Sequence, residues 1–264
     1  MQTQISQFMS VDPNYFPENE QIVIGDRSIE GGFLTHYFIN LCLKQNRSVC
    51  FLALSQTFTH YNSVAQKLGL NLLTACNETK NFKFIEGLKC LGSCFDSTDI
   101  KVEDSKPFLD LINGDCSTIL RYIESAISST TEFVSNSCHG PVVIIDDLSI
   151  LLSAGLDKKD VILFYNGLTQ ILDSQKGSLI TFSYLEKDDD DLEELWSFVS
   201  HVSTIRIEFS ALSSGFCKDV HGQMKVEWRD GKASPRKFSV KQTQFKLSDK
   251  TVDFFASGMS AAVL

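Results

Sequence analysis

The 264-residue chain carries 24 Lys and Arg against 33 Asp and Glu, a formal charge of −9, and 43% of its residues are hydrophobic. That length and apolar fraction fit one large α/β domain, or one domain with a small appendage, and exclude wholesale disorder. The acidity argues against general nucleic-acid binding, in which phosphate contacts carry most of the affinity.

The opening stretch MQTQISQFMSVDPNYFPENE has no basic start and no long apolar run, so neither a signal peptide nor an anchor is expected. Residues 1–20, polar and broken by Pro13 and Pro17, are expected as a loosely ordered arm, with residues 21–264 as a single domain. Gln21–Ile24 reads as a short strand. It is followed by the glycine-containing turn GDRSIEGG and by a helix from about Phe33 to Lys44, on which Leu34, Tyr37, Phe38, Leu41 and Cys42 recur at helical spacing. Strand, glycine turn and helix together have the shape of a phosphate-binding loop. Its chemistry is missing. With Gly31 as the second motif glycine, Gly32 and Phe33 stand where the phosphate lysine and the magnesium hydroxyl belong. Glu30 adds negative charge at the helix N-terminus, where a phosphate would otherwise sit.

Ser48–Leu54 is expected as the second strand, followed by a helix bearing Tyr61, Val64, Ala65 and Leu68 and stopped near Gly69. Phe82–Ile85 is a third strand, and Lys106–Ser129 reads as one long helix with a continuous apolar stripe. It leads to PVVIIDDLS, where Val142–Ile145 run straight into Asp146 and Asp147. An unbroken β-branched run suits a strand covered on both faces, whose carboxyl end opens on the ligand crevice. Two readings of the aspartates stand level: the Walker B arrangement that holds a metal-bound nucleotide, or caps for the next turn and helix. Asp157–Ser174 is a further helix and Ser178–Tyr184 a further strand. This alternation implies a parallel sheet wound on both faces.

The acidic run Glu186, Asp188–Asp191, Glu193 and Glu194 is expected as a solvated loop or helix start rather than a metal site. Strands then dominate: Ser203–Phe209, a hairpin through KVEW with Gly222 at its turn, Phe238–Phe245 and Val252–Phe255. Residues 218–250 hold nine Lys and Arg against four Asp and Glu, a local excess of +5 against −14 elsewhere. The eight cysteines fall mostly in apolar patterns and are read as reduced and structural; Cys90 and Cys94 lack the second ligand pair a zinc site needs. No stretch approaches the roughly 20 apolar residues a bilayer span requires, so no membrane contact is expected.

The stretches GGFLTHYFINLCLK, VCFLALSQTFTHYNSVAQKLGL, FIEGLK, VVIIDDLSILLSAG, GFCKDVHGQ and FFASGMSAAVL resemble the family of sixth subunits of the Elongator complex, from about Gln21 to the end. The resemblance implies a RecA-like fold: a mostly parallel sheet with helices on both faces, a strand-rich C-terminal end and no working phosphate loop. It also implies a hetero-hexameric ring with the fourth and fifth subunits. That ring binds tRNA and supports wobble-uridine modification by the rest of the Elongator complex. Under it, Gly31, Gly32, Gln56 and Asp146 are degenerate nucleotide-site positions, with Gln56 close to the place of the catalytic glutamate; an amide cannot deprotonate an attacking water. The expectation is a pseudo-ATPase with no cofactor of its own. Arg206 and Lys218 are considered as reaching a neighbour's phosphates, against the plainer reading of surface charges. The tRNA contact is expected on the basic C-terminal face at Lys232, Arg236, Lys237 and Lys241, and not on the acidic run, which repels phosphate. No strong nuclear signal stands out, so the cytoplasm is expected, with the nucleus also open. The alternatives are an active RecA-like ATPase and a recombination accessory protein that binds DNA.

Overall fold

Apolar β-branched and aromatic runs supply the strands. They are β1 (Gln21–Asp26), β2 (Val49–Leu52), β3 (Phe82–Ile85), β4 (Val142–Ile145), β5 (Ser178–Tyr184), β6 (Ile205–Ser210), β7 (Gly222–Arg229), β8 (Phe238–Leu247) and β9 (Val252–Phe255). The computed structural model describes residues 2–9, 18–27, 31–95, 105–134, 139–212, 220–229, 238–248 and 251–255. The strands form one sheet in the order β3-β2-β4-β5-β1-β6-β7-β8-β9. From β3 to β6 every pairing is parallel; β7, β8 and β9 are added antiparallel. This is the α/β architecture that the alternation of strands and helices implies.

Alternate residues of each central strand feed two cores. Ile22, Ile24, Phe51, Val142 and Ile144 face a core built with α1 (Gln2–Met9), α2 (Phe33–Lys44), α3 (Phe58–Lys67) and α4 (Leu72–Asn77). Val23, Cys50, Leu52, Val143 and Ile145 face the other. That second core is closed by α5 (Gly87–Phe95), α6 (Lys106–Ile112), α7 (Ser117–Thr131), α8 (Ser149–Ser153), α9 (Lys158–Ser174) and α10 (Asp190–Val202). Beyond β1 only one face stays apolar. Ile207, Phe209, Met224, Val226 and Phe245 join the first core, while Arg206, Glu208, Lys225 and Glu227 alternate on the opposite, half-exposed face.

Three expectations need correction. Within the arm expected to be loosely ordered, Gln2–Met9 form a helix whose Ile5 and Met9 are wholly buried. Ile5, Phe8 and Met9 make a one-sided apolar stripe, Phe8 stacks on Phe254 with centroids 5.2 Å apart, and the Ser6 and Tyr37 hydroxyls meet at 2.8 Å. The single helix expected over Lys106–Ser129 is two. Gly114 takes φ +86°, and Asp115 Oδ1 accepts from Ser117 N at 2.8 Å to start the second helix. Gly222 is not a turn residue but the first residue of β7; a Cβ there would lie 2.8 Å from the Ser210 carbonyl oxygen, so glycine permits the close pairing with β6. The acidic run is a helix start: Asp189 Oδ1 caps Leu192 N at 3.0 Å, and Asp190, Asp191 and Glu193 occupy the positive end of α10. None of the described cysteines forms a disulfide, and burial pushes the Cys42 and Cys50 thiols up to about 12.

Candidate functional site

The parallel strands end together along one edge of the sheet. Asp26 closes β1, Ser55 and Gln56 follow β2, Asp146 and Asp147 follow β4, and Tyr184 closes β5. With the first turn of α2 these residues wall a cleft of about 490 Å³, whose lining includes Gly32, His36, Gln56, Tyr61 and Asp146. Three of the four positions that the family resemblance implied for a degenerate nucleotide site, Gly32, Gln56 and Asp146, are therefore brought to one cleft. The fourth, Gly31, stands beside it at the mouth of α2.

The polar groups there are turned inward, onto the chain itself. Asp26 Oδ2 accepts from Gly31 N at 2.7 Å. A side-chain carboxylate thus takes the backbone amide that in a working loop faces phosphate. Asp146 accepts from Leu54 N at 2.6 Å, from Ser55 N at 3.1 Å, from Ser55 Oγ at 3.1 Å and from Tyr61 Oη at 2.7 Å. It ties the end of β2 to α3. Burial raises its carboxyl above the usual range, while these bonds pull the other way. Burial, and then the same carboxylate, push the Tyr61 hydroxyl strongly upward, so it stays protonated and donating. Asp147 follows the capping reading: its Oδ1 accepts from the amide and hydroxyl of Ser149 at the start of α8, and from Tyr184 N at 3.3 Å.

No lysine or arginine lines this cleft among the described residues. Its aromatic wall is formed by Tyr61, His36 and His60; the His36 ring lies 5.6 Å from that of Tyr61 and 6.4 Å from that of His60. Burial, and to a lesser extent His60, push the His36 imidazole down to about 4, so it is neutral at physiological pH. The arrangement can accept hydrogen-bonding or aromatic groups, and among the described residues it presents no lysine or arginine to a phosphate.

Arg27, just after β1, is held away from the cleft. It grips both carboxylate oxygens of Glu193, at 2.5 and 3.0 Å, and donates Nε to Glu208 at 3.0 Å. Arg206 sits on the same face, paired with Glu208 at 2.8 Å and Glu227 at 3.7 Å, its guanidinium 5.2 Å from the Trp196 ring. Its charged end is thus engaged within the chain rather than displayed as a solvated surface charge. Lys241 lies on the opposite face of the sheet, 5.4 Å from the Trp228 ring and 3.4 Å from the Phe8 carbonyl. Lys218, Lys232, Arg236 and Lys237 lie outside the described residues, as do Glu30 and residues 256–264.

Sequence reading missed Asp26 and Tyr61. Tyr61 was legible only as one of several apolar-face residues of its helix. For Asp26 the signal was its position, an acid closing a strand five residues before the loop glycine.

The model of the family described as Elongation complex protein 6 matches residues 3–249. Elongator complex protein 6 of Xenopus laevis is 36% identical over 249 residues, covering 90% of this chain and 91% of the relative. The protein of the same name from Homo sapiens is 32% identical over 271 residues and covers both chains completely, and that of Danio rerio is 32% identical over 268 residues, covering 99% of each. The chain belongs to the Elongation complex protein 6 family.

Proposed function

We propose that this chain is a non-catalytic accessory subunit of the Elongator complex. It assembles with the fourth and fifth subunits into a hetero-hexameric RecA-like ring that binds tRNA and supports wobble-uridine modification, and it works in the cytoplasm. The observation that carries the reading is the rewired strand-tip cleft. Asp146 spends its acceptor capacity on Leu54, Ser55 and Tyr61, Asp26 takes the Gly31 amide, and the described lining holds no cation for a phosphate. Nucleotide turnover needs a cation at the outer phosphates and a carboxylate open to magnesium. Family membership and the long mostly parallel sheet with its antiparallel extension support a ring role.

The contact with tRNA is proposed for the basic C-terminal segment and not for the Asp188–Asp191 run, which starts α10 and is partly neutralised by Lys158. The test is native mass spectrometry of this chain co-expressed with the fourth and fifth Elongator subunits, combined with an ATPase assay on the isolated chain. A two-two-two hexamer and no turnover are expected. A chain that stays monomeric and folded beside those subunits refutes the ring, and turnover by the isolated chain refutes the non-catalytic reading.

A further inference from the structure

The strand-tip cleft gathers three carboxylates, Asp26, Asp146 and Asp147, with no lysine or arginine in its described lining. Buried carboxylates are ordinarily matched by a cation. Asp146 is only 7% exposed, yet its donors, Leu54 N, Ser55 N, Ser55 Oγ and Tyr61 Oη, are all neutral. Among the described residues neither Asp146 nor Asp147 makes an ion pair. Asp147 is the carboxylate with acceptor capacity left. Its Oδ1 takes Ser149 N at 3.0 Å, the Ser149 hydroxyl and Tyr184 N at 3.3 Å, while its Oδ2 takes no donor among the described residues and is open to solvent. Burial, and to a smaller extent the Asp146 charge, raise the Asp147 carboxyl above the usual range, against the pull of these bonds.

Charge and donor geometry separate the ligands this cleft can take. An anion is repelled by the carboxylates. A metal ion needs several converging side-chain donors, and among the described residues no three His, Cys, Asp or Glu side chains come together to hold one. An organic cation needs one open carboxylate oxygen and a wall of ring faces. Phe33, Tyr61 and Tyr184 line the cleft, and Tyr184 is 36% exposed. We propose that the strand-tip cleft binds an organic cation, a guanidinium or ammonium group that donates to Asp147 Oδ2 and rests against these rings. Two sources carry that group: a lysine or arginine side chain of a partner protein, or a free small molecule. The inference deepens the non-catalytic reading of the cleft and is separable from it. Its first test uses neither ATP nor a partner, so turnover by the isolated chain refutes that reading alone.

The test titrates the full free chain with ethylguanidinium and follows the ring signals of His36 and His60, which line the cleft, by NMR. Ethylurea, the neutral isostere, is the control. Saturable shifts with ethylguanidinium, none with ethylurea, and an affinity weakened about tenfold in Asp147→Asn are expected, the worth of one charge-assisted hydrogen bond. Asparagine keeps one acceptor oxygen for Ser149 and Tyr184, and the comparison with ethylurea stands without the variant. No saturable shift at millimolar ligand, an equal response to ethylurea, or an affinity untouched by Asp147→Asn overturns the inference. Carbodiimide labelling of Asp147, read by mass spectrometry in the assembly with the fourth and fifth Elongator subunits, separates the sources. Labelling lost on assembly assigns the cation to a partner's side chain. Labelling kept on assembly and suppressed by ethylguanidinium assigns it to a free molecule. Labelling kept and indifferent to ethylguanidinium overturns the inference.

Discussion

Replacing Asp146 with alanine separates a stapling carboxylate from a metal-holding one. In the structure Asp146 takes four donors from β2's end and α3, and two of them, Leu54 N and Tyr61 Oη, are buried. Alanine strands both. Each stranded buried donor costs about 1–3 kcal/mol, so the pair costs about 4 kcal/mol. Removing the carboxylate also removes its own burial penalty, which is large enough to raise its pKa against four hydrogen bonds. The net expected loss is about 3 kcal/mol, within the roughly 5–15 kcal/mol total of a native domain, so the variant still folds. Asp146→Asn keeps one acceptor oxygen, and Tyr61→Phe removes one donor; each should cost about 1–2 kcal/mol. Because Asp146 and Tyr61 share one bond, their double variant should cost less than the sum. The assay is urea unfolding of the isolated chain without nucleotide. A loss below 1 kcal/mol for Asp146→Ala refutes the staple. So does a stability difference that appears only when magnesium and ATP are added.

Further outcomes follow from single positions. His36 is held neutral down to about pH 4, while the same residue in the unfolded chain takes a proton near 6.5. Between those values the unfolded state binds more protons, so stability falls as pH drops from 6.5 toward 4. By pH 4.5, His36→Gln should lose about 2 kcal/mol less than the parent chain relative to pH 7, as read by urea unfolding at each pH; identical pH profiles contradict this. Gly114→Ala places a side chain at φ +86° between α6 and α7, and should cost about 1–2 kcal/mol in the same assay. Gly140→Ala drives a Cβ to 2.1 Å from the Lys176 carbonyl oxygen, a backbone atom, and disturbs residue 140's own carbonyl, which accepts from Arg47 at 2.7 Å. A loss of about 3 kcal/mol, or roughly 6–12 °C in thermal midpoint, is expected by calorimetry.

How much of this was written in the sequence depends on the range of each interaction. Val142–Ile145 announced a doubly covered strand because four β-branched residues in a row fit little else, and the strand sits between β2 and β5 with both faces buried. The bounds of α2, β3 and β5 were legible for the same reason: local periodicity and local burial agree there. Lys106–Ser129 misled because its apolar stripe stays in phase across a break, and only the left-handed backbone of Gly114 interrupts it. Residues 2–9 misled in the opposite sense. Eight residues are too few for a stable helix alone, and the helix is held by Tyr37 and Phe254, which lie far along the chain.

The candidate site shows the same division between what is local and what is distant. The missing lysine and hydroxyl near Gly32 and Phe33 were plain in the sequence, but they say only what the site lacks. The strand tips still end in backbone amides, and buried amides need acceptors whether or not a ligand supplies them. Asp26 answers for Gly31, and Asp146 answers for Leu54 and Ser55, across separations of five residues and of about ninety. Tyr61 fills the remaining acceptor position of Asp146 with a hydroxyl from α3. These substitutions make the edge of the sheet self-sufficient.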